Sequence, residues 1–195
     1  DLREQGVEPE ALLSLMARLG SSQPVELRRS IKEIAEGFEL DQFGSAPTKF
    51  DHEDLYPLTA RKLHGLDLAE VQADLDDLGV PVEMAEAFWT VARENITTRR
   101  DLADWWGLCL NGAEPLVAEE DVDFVAEAMA LLPEGPLGPE DWSKWTSSVK
   151  EATGRKGKGL FMPLRKALTG QERGPEMAEL LPLLQTIPAR KLAKG

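Results

Sequence analysis

The chain has 195 residues, 42% of them apolar and 29% charged, enough for one large domain or two small ones. No apolar run is long enough to span a membrane, and no apolar h-region follows Asp1-Leu2-Arg3-Glu4-Gln5, so these residues are not expected to be a signal peptide. A net charge of −13 argues against nonspecific nucleic-acid binding, and the single cysteine excludes an intramolecular disulfide or a cysteine-rich zinc site.

The elements read helical almost throughout. Glu10 to Leu19 is a short apolar helix with Pro9 near its start and Gly20 as its stop. Leu27, Ile31 and Ile34 share one face of a second helix ending at Gly37, and residues 38–47 break the period as a loop. Asp51 can cap a third helix that runs toward Gly65 with Pro57 in its first turns. Asp67 can cap a fourth, with Leu68, Val71, Leu75 and Leu78 on one face and Gly79 as the stop. Pro81 starts a fifth through Phe88, Trp89 and Ala92. A turn spans residues 95–98, and Asp101 to Cys109 is a short apolar element containing Trp105 and Trp106.

Residues 111–115 are the best candidate for a subdomain boundary. Glu119 to Leu132 reads as a helix, with Val122, Val125, Met129 and Leu132 at helical spacing, and residues 133–139 break it with Pro and Gly. Trp142, Trp145 and Val149 mark another amphipathic face. Thr153 to Gly159 reads as a connector, Pro163 suits the first turn of a helix ending at Gly170, and Glu176 to Leu184 forms one more helix before a short basic tail. No segment alternates with period 2, so the expected class is all-α, short helices held by mutual packing.

His52 and His64 lack partners at ligand spacing, so no metal site is expected, and no Ser-His-acid or Cys-His nucleophile motif is visible. Asp74, Asp76 and Asp77 lack the ligand alternation of a calcium loop and read as a solvated helix face. Cys109 reads as a buried thiol, consistent with a reducing cytoplasm. Trp89, Trp105 and Trp106 read as core. Trp142 and Trp145 lie one turn apart beside lysines, which leaves two readings, core packing and stacking on unpaired bases.

Charge is distributed unevenly. Residues 150–195 carry 10 Lys/Arg against 4 Asp/Glu, while residues 1–149 carry 12 against 31. Lys150, Arg155, Lys156, Lys158, Arg165 and Lys166 fall within seventeen residues that hold one acid, Glu151. Gly154, Gly157 and Gly159 would let backbone and lysines approach phosphate. The stretch is not a Walker loop, because Gly159 rather than Ser or Thr follows Lys158. From charge alone, RNA binding and a solvated basic loop remain equal alternatives.

The run Lys158-Gly159-Leu160-Phe161-Met162-Pro163-Leu164-Arg165-Lys166-Ala167-Leu168-Thr169-Gly170, preceded by Trp142 and Trp145 and followed by Gly174-Pro175-Glu176-Met177, resembles the anticodon-reading end of bacterial glutamyl-tRNA synthetases. The opening Leu2-Arg3-Glu4-Gln5-Gly6-Val7-Glu8-Pro9 resembles the segment after that family's Lys-Met-Ser-Lys-Ser-type loop. Phe43-Gly44-Ser45-Ala46-Pro47-Thr48-Lys49-Phe50-Asp51 resembles its connection into the anticodon-binding half.

The resemblance implies a short-helix bundle or superhelix of two to three subdomains, of the class I glutamyl-tRNA synthetase anticodon-binding type. Residues 1–50 would contact the tRNA stem; 51–112 and 113–195 would be two anticodon-binding helical subdomains. It places anticodon recognition on Arg165, Arg93, Asn95, Pro175 and Met177, with Asn95 standing where some members have Arg. Lys150, Arg155, Lys156, Lys158 and Lys166 are the candidates for tRNA phosphate.

The His-x-Gly-His signature of a class I catalytic domain is absent from these residues, and the sequence does not open on Met, so a piece of a glutamate–tRNA ligase is expected. ATP and magnesium would serve the parent enzyme's other domain, and this piece would need no cofactor and be inactive by itself. Its expected partner is glutamate tRNA, with glutamine tRNA open through a paralogue that charges it with glutamate. No membrane or DNA partner is expected, and the location would be cytoplasmic. A helical protein-interaction module is the alternative.

Overall fold

The computed structural model describes residues 1–45 and 47–193; Ala46 of the expected loop and Lys194-Gly195 of the tail lie outside the described residues. Among the described residues every element is helical apart from one isolated antiparallel bridge, Ser21 to Phe43. The class is all-α. No helix among the described residues is long and apolar enough to cross a membrane.

Two compact units emerge: Asp1–Asp77 with Ile96–Ala103, and Leu78–Asn95 with Asp104–Gly195. The first holds α1 (Pro9–Met16), α2 (Ile31–Glu36), α3 (Leu55–His64) and α4 (Leu68–Asp77). Val7, Ala11, Leu15, Leu55 and Leu58 form a core in it, joined by partly buried Leu2, Leu12, Leu27 and Tyr56. Pro9 opens α1, where its missing N–H costs nothing. Asp51 caps a 3₁₀ turn (His52–Asp54) that leads into α3, and the Asp67 N–H donates to the Glu70 carboxylate at 2.8 Å, half of a capping box for α4.

The second helix is shorter than its apolar spacing predicts. The Ser30 hydroxyl accepts from the Glu33 N–H, which fixes the start at Ile31. Leu27 lies before it, on a segment pinned where the Arg28 N–H donates to the Ser14 hydroxyl at 2.9 Å. Ile31, 73% exposed, therefore shares no buried face with Leu27.

The second unit contains α5 (Val82–Ala92), most of α6 (Asp101–Asn111), α7 (Val122–Ala130), α8 (Asp141–Thr153), α9 (Lys158–Thr169) and α10 (Met177–Leu180). Trp145 is fully enclosed and its indole N–H donates to the Ala128 carbonyl at 2.8 Å, fastening α8 to α7. Removing such a ring costs about 3–5 kcal/mol.

Two expectations change here. The helix expected from Glu176 to Leu184 is a four-residue α10 followed by a 3₁₀ turn at Leu181–Leu183 that contains Pro182. Pro163 does not open its helix but lies inside it, so Lys158 and Gly159, read as connector, are helical. Leu160, Leu164, Ala167 and Leu168 bury one face of α9, and that burial outweighs the backbone cost of the proline.

Candidate nucleic-acid interface

Helix α8 ends on Gly154 in the left-handed region, and α9 begins after Gly157 at φ 55°, ψ −137°, a conformation essentially reserved for glycine. This tight connection brings Trp142 of α8 to Phe161 of α9, ring centroids 6.2 Å apart. Trp142 also meets Trp145 edge to face at 5.6 Å. Of the two readings left open for the pair, Trp145 is core. Trp142 is half-buried and lines a pocket of about 230 Å³ with Phe161, Arg165, Glu176 and Met177.

Arg165 stands one turn after Phe161 on α9, so both face this pocket. One terminal nitrogen, Nη2, donates to the Pro175 carbonyl at 2.9 Å. The other, Nη1, is buried with no partner among the described residues. An unpaired buried donor costs about 1–3 kcal/mol. The structure thus gathers Arg165, Pro175 and Met177, three of the residues singled out in the sequence. Phe161 and Glu176 were not singled out; the i, i+4 relation of Phe161 to Arg165 is the signal that could have found the first.

Gly174, at φ 148°, packs beside Arg165: a Cβ there would stand 3.5 Å from Nη1 and 3.0 Å from the ring of Trp105. The Trp105 indole N–H in turn donates to the Asn95 carbonyl at 3.2 Å. Trp105 is therefore half-buried mortar between the 3₁₀ turn Arg93–Asn95 and the segment after α9, rather than pure core. The Asn95 side chain donates to the Val91 carbonyl at 3.0 Å, and Arg93 keeps a buried Nε without a partner among the described residues.

Lys150, Lys156 and Lys158 are exposed and form no ion pair among the described residues. Lys166 is different: its ammonium lies 3.0 Å from Glu172 and holds that carboxyl below the usual range. Arg155 is also engaged. It pairs with Asp121, covers the Phe124 ring at 4.0 Å and donates to the Gly159 carbonyl at 3.2 Å.

No cluster of three or more His, Cys, Asp or Glu side chains among the described residues is placed to hold a metal ion. His64 donates to the Ile96 carbonyl at 2.9 Å. Asp74, read as part of a solvated face, instead pairs with Arg99, which also bonds Glu8 at 2.8 Å. Cys109 is buried, which pushes its thiol up to about 12.

A family model described as anticodon binding domain matches residues 69–186, which hold all of the pocket's lining residues. The chain belongs to the anticodon-binding domain family. This anticodon-binding domain is 67% identical over 190 residues to glutamate–tRNA ligase 2 of a Ruegeria species, an alignment covering 97% of the chain and 43% of that protein. Glutamate–tRNA ligase 1 of Ruegeria pomeroyi matches at the same identity and coverage. The chain thus spans about 43% of the length of these curated relatives. Among solved structures, a glutamate tRNA ligase from Elizabethkingia meningosepticum superposes with a TM-score of 0.72 at 22% identity, over 97% of this chain and 41% of that one. At that identity the likeness concerns the fold.

Proposed function

We propose that this anticodon-binding domain reads the anticodon arm of glutamate tRNA as part of a glutamate–tRNA ligase working in the cytoplasm. The observation that carries the reading is Arg165, which lines a pocket with Trp142, Phe161 and Met177 and keeps one buried donor without a partner among the described residues. Splayed bases stack on aromatic walls, and a guanidinium hydrogen-bonds their edges. A base edge with an acceptor at the right place pairs the guanidinium; a wrong base leaves it unmatched. The exposed Lys150, Lys156 and Lys158 supply phosphate contacts that hold the arm in register, and Arg93 and Asn95 form a second reading turn. Residues 1–50 take the stem. ATP and magnesium serve the ligase's other portion, and this chain needs neither to bind.

Titration with glutamate tRNA, glutamine tRNA and an unrelated tRNA at two salt concentrations tests this. Preference for the first one or two, steepening at low salt, supports it. Equal binding to all three, or none, overturns it.

A helical protein-interaction module is the second reading, favoured by one observation. Leu13, Met16, Ile31 and Phe38 expose a continuous apolar face in the first unit. Charged substitutions at Met16 and Ile31 that leave tRNA binding intact but abolish capture of a protein partner would favour it.

A further inference from the structure

Pro163 removes a backbone donor from the middle of α9. In an uninterrupted helix the N–H at this position would bond the carbonyl four residues back, that of Gly159. That carbonyl is nonetheless occupied, because Arg155 Nη1 donates to it at 3.2 Å. Arg155 is itself held from three sides: Asp121 pairs with it, the Glu120 carbonyl lies at 3.5 Å from Nη2, and the Phe124 ring sits beneath the guanidinium at 4.0 Å. It lies in the connector between α8 and α9, and its partners belong to the start of α7 and the turn before it.

We propose that Arg155 is a positioning residue that replaces the hydrogen bond lost at Pro163 and clamps the first turn of α9 to α7. That turn carries Phe161, which faces Trp142 across the pocket, and Lys158. Without the clamp, the proline leaves the first turn joined to the rest of α9 by a weakened backbone ladder, and the aromatic wall loses its register with Arg165. A guanidinium is needed here, because it can sit flat on a ring while donating in two directions in its plane; an ammonium cannot. This role differs from the phosphate contact that charge alone suggests for Arg155. It rests on the reading of the pocket as a base site.

The test is a mutant cycle on the whole chain, read by thermal unfolding and by titration with glutamate tRNA transcript over a salt series. Arg155→Ala lowers affinity about tenfold, the scale of one lost charge-assisted hydrogen bond, and narrows the gap between cognate and unrelated tRNA, with no change in salt slope. Arg155→Lys behaves like Arg155→Ala. Pro163→Ala, which restores an N–H to the Gly159 carbonyl, suppresses much of the Arg155→Ala loss in both readouts. Asp121→Asn weakens binding although it removes a negative charge, and it provides the reading if Arg155→Ala does not fold.

A reduced salt slope restored by Arg155→Lys would overturn the proposal in favour of phosphate contact. So would tighter binding by Asp121→Asn, or Arg155→Ala and Pro163→Ala effects that simply add. If the unaltered chain binds no tRNA, the base-site reading fails, while the melting cycle still decides whether Arg155 and Pro163 are coupled.

Discussion

Gly174 lies against the ring of Trp105, so close that a Cβ at this glycine would stand 3.0 Å from the ring carbon Cη2. The same backbone has φ 148°, and the same virtual Cβ would be 3.5 Å from the unpaired nitrogen of Arg165. Gly174→Ala should therefore strain the backbone and push the indole at once, costing about 1–3 kcal/mol. Chemical denaturation measures the loss. Trp105 bonds the Asn95 carbonyl, so tRNA affinity should fall along with stability. A variant as stable as the parent would show that the ring yields freely.

Arg165→Ala removes both the bond to Pro175 and the unpaired Nη1. The expected result is weaker binding by about 1–3 kcal/mol and a flattened preference among anticodons. Titration with tRNAs differing only in the anticodon separates these effects. An equal loss for every tRNA would mean that Arg165 supports the fold without reading bases.

Lys156→Ala and Lys158→Ala should weaken all tRNAs alike, and each should lower the slope of log affinity against log salt by about 0.7–0.9. Lys166→Ala should do less, because its ammonium is already matched by Glu172. An unchanged slope in the first two variants would rule out phosphate contact at those lysines.

Burial holds the Cys109 thiol protonated up to about 12, against an ordinary value near 9. Native protein at pH 8 should react with iodoacetamide far more slowly than protein unfolded in urea. The folded state binds this proton more tightly than the unfolded state does. The stability from this group is thus full below pH 9 and declines by about 1.4 kcal/mol per unit as pH rises from 9 toward 12. Denaturation midpoints of Cys109→Ala and the parent, compared at pH 8 and pH 10, check the sign: the parent should lose more.

Much of the helical plan was legible because its punctuation is local. Pro9, Asp51, Gly65 and Gly79 act where the sequence places them, within one turn of the residues they cap. The resemblance brought Arg165, Pro175 and Met177 forward, and the chain does bring them together. What stayed hidden depends on partners distant in sequence. Arg155 reads as one more cation among lysines until Asp121 and Phe124, thirty-odd residues earlier, are seen beside it. Pro163 reads as a helix start for the same reason, since the Arg155 guanidinium that bonds the Gly159 carbonyl lies outside the helix. Phe161 stands in a run dominated by Lys158, Arg165 and Lys166, and only its one-turn spacing from Arg165 marks it.

The tryptophans give the chain an optical consequence. Trp89, Trp106 and Trp145 are enclosed, whereas Trp142 is half-buried at the pocket and Trp105 half-buried behind Gly174. A base stacking on Trp142 changes the emission of that ring and, through their 5.6 Å contact, that of Trp145, while Trp89 and Trp106 supply a background. Occupancy of the pocket is then visible as fluorescence quenching without any attached dye, and Trp142→Phe should silence the signal while preserving an aromatic wall.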